Sequence, residues 1–190
     1  MFPIEKCIED QLREYTGGAL PTLIFPEALD PRVIEAASGL IQYAKIVLVA
    51  SREEVERVLD ERGIDLRVSR RRFLQSIAFV RPADHPDLLD EFAAELAERS
   101  RGRSWEMDPA TARRRVEEPV FFSICSVRRG CADAVLGGLA HSSRDFFQPC
   151  LRVLERDGTV YEMGLFALPD SHSADLFDQN LVMFADVALN

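Results

Sequence analysis

Lysine is almost missing from this chain: Lys6 and Lys45 are the only two in 190 residues, so nearly all of its 23 basic side chains are arginine. Acidic side chains number 32, and the net charge is -9. That balance excludes broad nucleic-acid binding, which needs a basic face. Cysteine is scarce too. Cys7, Cys125, Cys131 and Cys150 form no CxxC pair, and no Cys/His cluster has metal-ligand spacing, so no metal is expected. Cys7 and Cys125 sit among apolar neighbours, as small core residues do. Free thiols in a reducing compartment are the expectation. No apolar run approaches the roughly 20 residues that span a bilayer. The N-terminus lacks the basic start and long apolar segment of a signal peptide, so a cytoplasmic location is expected. Three signatures are missing as well: GxGxxG after the first strand, the phosphate loop GxxxxGK(S/T), and the nucleophile elbow GxSxG. Their absence argues against a dinucleotide or nucleotide fold of the usual kinds and against a serine hydrolase.

What is present is alternation. Hydrophobic residues make up 47% of the chain, enough for one sizeable core or for one domain plus a fragment of a second. An amphipathic helix is expected over 4–15, then an apolar strand, Thr22 to Phe25. Asp30-Pro31 opens a helix with Asp as N-cap and Pro at the first helical position. Lys45 to Ala50 reads as the second strand, and Ser51 with Glu54 as a capping box for the next helix. Ile77 to Val80 is the third strand. Helices follow from Pro86, from Pro109 and over Val120 to Arg129, and then a short strand, Ala134 to Leu136. The tail differs: Thr159 to Leu168 and Leu181 to Leu189 read as two strands with no helix between them. Buried strands alternating with amphipathic helices predict an α/β fold, a mostly parallel sheet with helices on both faces. Residues 1–155 are expected to form that domain, and 156–190 the beginning of a second, partly antiparallel one, cut short.

Ligands of open α/β sheets bind beyond the carboxyl ends of strands. Three stretches invite attention. Phe25 to Arg32 follows the first strand, where a turn and a capped helix are the plainer account of the residues. Arg99, Arg101 and Arg103 crowd a helix end, where basic side chains also complement the helix dipole. Gly137-Gly138-Leu139-Ala140-His141-Ser142-Ser143-Arg144-Asp145 follows a strand and opens a helix. Backbone N–H groups there attract anions, and the Ser142 and Ser143 hydroxyls add donors. A glycine turn with a Ser142/Asp145 capping box accounts for the same residues equally well.

The ordered set of motifs resembles the phosphate acetyl/butyryltransferase family. Ile24-Phe25-Pro26-Glu27 with Asp30 and Arg32 is similar to that family's F-P-E-G-x-D-x-R opening. Gly63-Ile64-Asp65-Leu66, Met107-Asp108-Pro109 and Asp133 to Ser143 match later segments in order, the last resembling a segment that ends in H-T-T. Leu168-Pro169-Asp170 and Phe184-Ala185-Asp186 complete the set. The resemblance implies acyl transfer between an acyl phosphate and coenzyme A, in a cleft between two α/β domains. It implies no metal and no covalent enzyme intermediate, with coenzyme A as a substrate and no resident cofactor. His141, Ser142, Ser143, Gln148, Arg101 and Arg103 are the phosphate- or substrate-binding residues it implies, and a homodimer stays open.

The chain also departs from the family. The position of an arginine that faces phosphate in the family is Gln148 here. A charge-assisted hydrogen bond is worth roughly 1.5–3 kcal/mol, so the expected loss of phosphate affinity is about ten- to a hundredfold. Arg144 and Arg152 are the candidates to compensate, neither of them at the motif position. Arg101 and Arg103 are the nearest matches to a second family arginine, in an open register. The family's remaining catalytic groups correspond to sequence beyond Asn190, so no catalytic residue is named. An inactive relative or a fragment serving as a binding domain is the competing expectation. An unrelated nucleotide-binding domain is disfavoured by the missing glycine fingerprints.

Overall fold

The computed structural model describes residues 19–155, 163–167 and 181–185. The helix expected over 4–15 and the loop 169–180 lie outside them. β1 (Thr22–Phe25) is followed by α1 (Pro31–Leu40), where the Asp30 carboxylate accepts the Arg32 backbone N–H at 2.9 Å. β2 (Lys45–Leu48) leads to α2 (Arg52–Arg62). The capping box of α2 is complete. Ser51 Oγ accepts the Glu54 N–H at 3.1 Å, and the Glu54 carboxylate accepts the Ser51 N–H at 2.7 Å. Gly63 ends that helix in the left-handed conformation, φ 57°.

A short helix not foreseen from the sequence, α3 (Arg70–Ser76), precedes β3 (Ile77–Phe79). Ser69 caps it, and only Phe73 and Leu74 are buried, so its apolar period is too short to read. α4 (Pro86–Ser100), α5 (Pro109–Glu117) and α6 (Pro119–Arg128) then cross to β4 (Ala134–Val135). α7 (Ser143–Val153) closes this part of the chain.

The sheet is parallel throughout, in the order β3-β2-β1-β4. β1 lies inside it, with Leu23 opposite Ile46 on one side and Ala134 on the other. Strand side chains alternate between faces, so Ile24 joins one core and Phe25 the other. α1, α2 and α3 cover one face through Val33, Ile34, Ala37, Val55, Leu59 and Phe73. α4 to α7 cover the opposite face through Leu89, Phe92, Leu96, Val116, Phe122 and Phe146. Phe92 and Phe122 meet edge to face at 5.8 Å, a contact worth about 0.5–1.5 kcal/mol beyond its burial. The three-layer α/β arrangement expected from the sequence is therefore present.

Contacts divide the chain into residues 20–155, which form one compact unit, and a second unit that holds β5 (Met163–Ala167) and β6 (Leu181–Ala185). β5 and β6 pair antiparallel, from Met163 opposite Ala185 to Ala167 opposite Leu181. Among the described residues, no helix is long and apolar enough to cross a membrane.

Candidate functional site

The chain leaves β1 toward β2 on one side and comes back last to β4 on the other. The carboxyl ends of β1 and β4 thus flank the point where strand order reverses, which is where open α/β sheets hold ligands. Two segments meet there: Pro26-Glu27-Ala28 after β1, and Leu136 to His141 after β4.

Glu27 joins them. Its side chain is 2% exposed, and its carboxylate accepts the Leu139 N–H at 2.9 Å, the Ala140 N–H at 2.8 Å and His141 Nδ1 at 2.6 Å. Burial by itself pushes this carboxyl up, but the hydrogen bonds from His141, Ala140 and Leu139 outweigh it and hold the group below its ordinary 4.5. It is ionised at neutral pH and can only accept. Nδ1 of His141 therefore carries a proton, and Nε2 is left for solvent or ligand. Gly137 makes this approach possible. A Cβ there would lie 2.6 Å from the Phe146 ring and 3.1 Å from Pro26. Gly138 turns the chain at φ 98°.

α7 starts directly after His141. Ser142 Oγ accepts the Asp145 N–H at 3.1 Å and donates to Asp145 Oδ2 at 2.7 Å. The expected Ser142/Asp145 cap exists, with the carboxylate turned to the serine hydroxyl. Asp145, Gln148 and Arg152 follow at helical spacing on one face of α7. With His141 and the start of α6 they line a cleft of about 410 Å³. Arg115 and Glu118 are on its rim, and Arg115 Nη1 donates to both Glu118 oxygens, at 2.9 and 3.3 Å.

Arg152 has no carboxylate partner among the described residues. Its guanidinium lies over the Trp105 ring at 5.2 Å, and Arg103 lies over the same ring at 5.8 Å. Burial, then the neighbouring charges of Arg115 and Arg144, draw Arg152 below the ordinary arginine value. The group remains a cation, surrounded by like charge.

The residues named from the sequence distribute unevenly. His141 and Gln148 are on the cleft wall. Ser142 and Ser143 begin α7 next to it, exposed, with the Ser142 hydroxyl already engaged by Asp145. Arg103 donates to the Arg99 carbonyl at 2.9 Å and shares Trp105 with Arg152. Arg101 is exposed and paired with Glu98 at 2.7 Å, away from the cleft wall. Arg115 escaped sequence reasoning; Glu27 lay in the stretch Phe25 to Arg32 without a role of its own, and Arg152 was a compensating candidate outside the motif position. Glu27 left a trace as a lone acid in the apolar run Phe25 to Leu29. Among the described residues no group of three or more His, Cys, Asp or Glu could hold a metal ion.

The sequence matches the phosphate acetyl/butaryl transferase family model over residues 7–190. The phosphate acetyltransferase of Bacillus subtilis (strain 168) is 24% identical over 182 residues, covering 94% of this chain and 50% of that enzyme. That of Acetivibrio thermocellus is 24% identical over 148 residues, covering 77% and 41%. The chain thus spans about half the length of the curated relatives it matches. The EutD phosphotransacetylase from Staphylococcus aureus has a similar fold, with TM-score 0.73 at 21% identity, covering 97% of this chain and 51% of that one. A phosphotransacetylase from Streptococcus pyogenes gives TM-score 0.64 at 21% identity, covering 88% and 49%. With nearly all of its length inside the matched region, this chain belongs to the phosphate acetyl/butaryl transferase family.

Proposed function

We propose that this chain serves the transfer of an acetyl or butyryl group between an acyl phosphate and coenzyme A, with the cleft beside α7 as the phosphate end of the site. One observation carries the reading: His141, its Nδ1 committed to the buried Glu27, faces a cleft at the sheet's reversal point together with Gln148. In the reaction the coenzyme A thiolate attacks the acyl carbonyl, a C–S bond forms, and the C–O bond to phosphate breaks. The leaving phosphate gains charge in the transition state. Donors fixed in advance around it lower the barrier because they need no reorganisation. His141, its Nδ1 held by Glu27, lines the cleft, and Gln148 offers its amide. Ser142 and Ser143 stand at the helix start beside them, and Arg103 reaches the same region through Trp105. Arg101 stays in this reading as a more distant basic residue.

The reading includes coenzyme A as substrate with no resident cofactor, a cytoplasmic setting, no nucleic-acid or membrane partner, and an α/β domain over 1–155 followed by the start of a second over 156–190. Dimerisation is left to measurement. Calorimetry on the folded 190-residue chain tests it. Acetyl phosphate, butyryl phosphate or inorganic phosphate should bind competitively, and His141→Ala should weaken binding. A folded chain that binds none of them overturns the reading. Thioester formation measured alongside distinguishes an active enzyme from an inactive relative, the reading that Gln148 favours.

A further inference from the structure

The arginines of α5 and of the end of α6 are mostly answered by acids. Arg113 pairs with Asp90 at 2.8 Å and also with Glu117. Arg115 pairs with Glu118 at 2.9 Å, Arg129 with Glu91 at 2.9 Å, and Arg128 with both Glu95 and Glu155. Arg103, Arg144 and Arg152 meet no acid among the described residues, and of these three Arg152 is the half-buried one, on the cleft wall near Arg115 and Arg144. Withdrawing a cation from water is costly unless an opposite charge meets it. The place of Arg152 over the Trp105 ring, 5.2 Å from the centroid, offsets part of that cost. The Arg99 guanidinium fixes the backbone at this end of α7, donating to the Arg152 carbonyl at 3.3 Å. The one acid close by on the same helix face, Asp145, is turned to the Ser142 hydroxyl. Arg152 lies one helical turn beyond Gln148 on the same face, so both side chains reach one volume.

We infer that Arg152, seated on Trp105, is the cation that receives a small phosphate-bearing anion in this cleft, a task that Gln148 cannot perform. This rests on the proposed phosphate end of the site and assigns its charge to a residue outside the matching motif. The planar fork suits two oxygens of a phosphate or acyl phosphate group at once. Gln148 then adds a neutral donor on the same wall.

The test is calorimetry with inorganic phosphate and with acetyl phosphate on the full chain. Arg152→Gln should weaken binding about ten- to a hundredfold and reduce its salt dependence. Arg57→Gln, an equal charge change on the exposed side of α2, should leave binding unaltered. Arg152→Lys keeps the charge but loses the fork, and about a tenfold loss is expected. If Arg152→Gln does not fold, Arg152→Lys decides, and undiminished affinity in that variant overturns the assignment. Wild-type affinity in a folded Arg152→Gln chain also overturns it while leaving the phosphate reading standing. An equal loss in Arg57→Gln overturns it too, since the effect is then a matter of overall charge. A wild-type chain that binds neither anion removes the phosphate reading itself, and Arg152 with it.

Discussion

Glu27 and His141 are 114 residues apart in sequence and 2.6 Å apart in space, a carboxylate against an imidazole Nδ1. The same carboxylate holds the Leu139 and Ala140 N–H groups, so one acid sets both the ring and the loop that carries it.

Acid should loosen this loop. The folded Glu27 carboxyl lies below its ordinary 4.5, so its contribution to stability is complete above that value and is lost as pH falls through the lower folded one. Glu27→Gln removes the charge and one of two acceptor oxygens from these part-buried hydrogen bonds and should cost about 1–3 kcal/mol at pH 7. Urea denaturation at pH 7 and at progressively lower pH checks this. The gap between wild type and variant should narrow in acid, and a gap that widens contradicts the carboxylate's role.

Gln148→Arg should tighten phosphate binding about tenfold, because it adds a charged donor on the cleft wall. Calorimetry against inorganic phosphate gives the answer. Unchanged affinity would separate position 148 from the anion.

Gly137→Ala should destabilise the protein by about 1–3 kcal/mol, since its Cβ would meet the Phe146 ring at 2.6 Å. A thermal melt within error of the wild type would mean that Phe146 moves aside freely. The same variant should also weaken phosphate binding, because Phe146 lies on the helix that carries Gln148 and Arg152.

Thiol chemistry should separate the cysteines by burial. Burial pushes the Cys125 thiol up to about 12, and Cys150 is raised for the same reason, whereas Cys131 is exposed. Brief alkylation of the native chain near pH 8, read by peptide mass spectrometry, should label Cys131 and spare Cys125. Labelling of Cys125 at the same rate would show that its helix opens readily.

The sheet was legible because β1 and β2 are compact apolar runs and because Asp30-Pro31, Ser51/Glu54 and Asp108-Pro109 punctuate the helices by local hydrogen bonds. α3 was not, since two buried residues among three arginines make no period. The same contrast governs the site. Gly137 to Ser143 could be singled out because glycine turns and caps are local. Gln148 was identified through the family motif, and the structure puts it on the cleft wall with His141. The Glu27–His141 pair and the Arg152–Trp105 stack depend on contacts between distant segments, and neither residue type nor spacing encodes those. Arg101 illustrates the converse: an arginine near a matching segment that the turn after α4 directs to Glu98 and solvent.

β4 meets β1 through only two residue pairs, with Asp133 accepting the Thr22 N–H at 2.7 Å and donating its own N–H to the Thr22 carbonyl at 2.8 Å. More than a hundred residues separate the two strands, so closing that short edge closes a long loop, which costs entropy and slows folding. The Glu27 clamp and the cleft beyond it come into being only with that closure. A chain in which that edge is open lacks the cleft, and any ligand that binds the cleft favours the last strand in register.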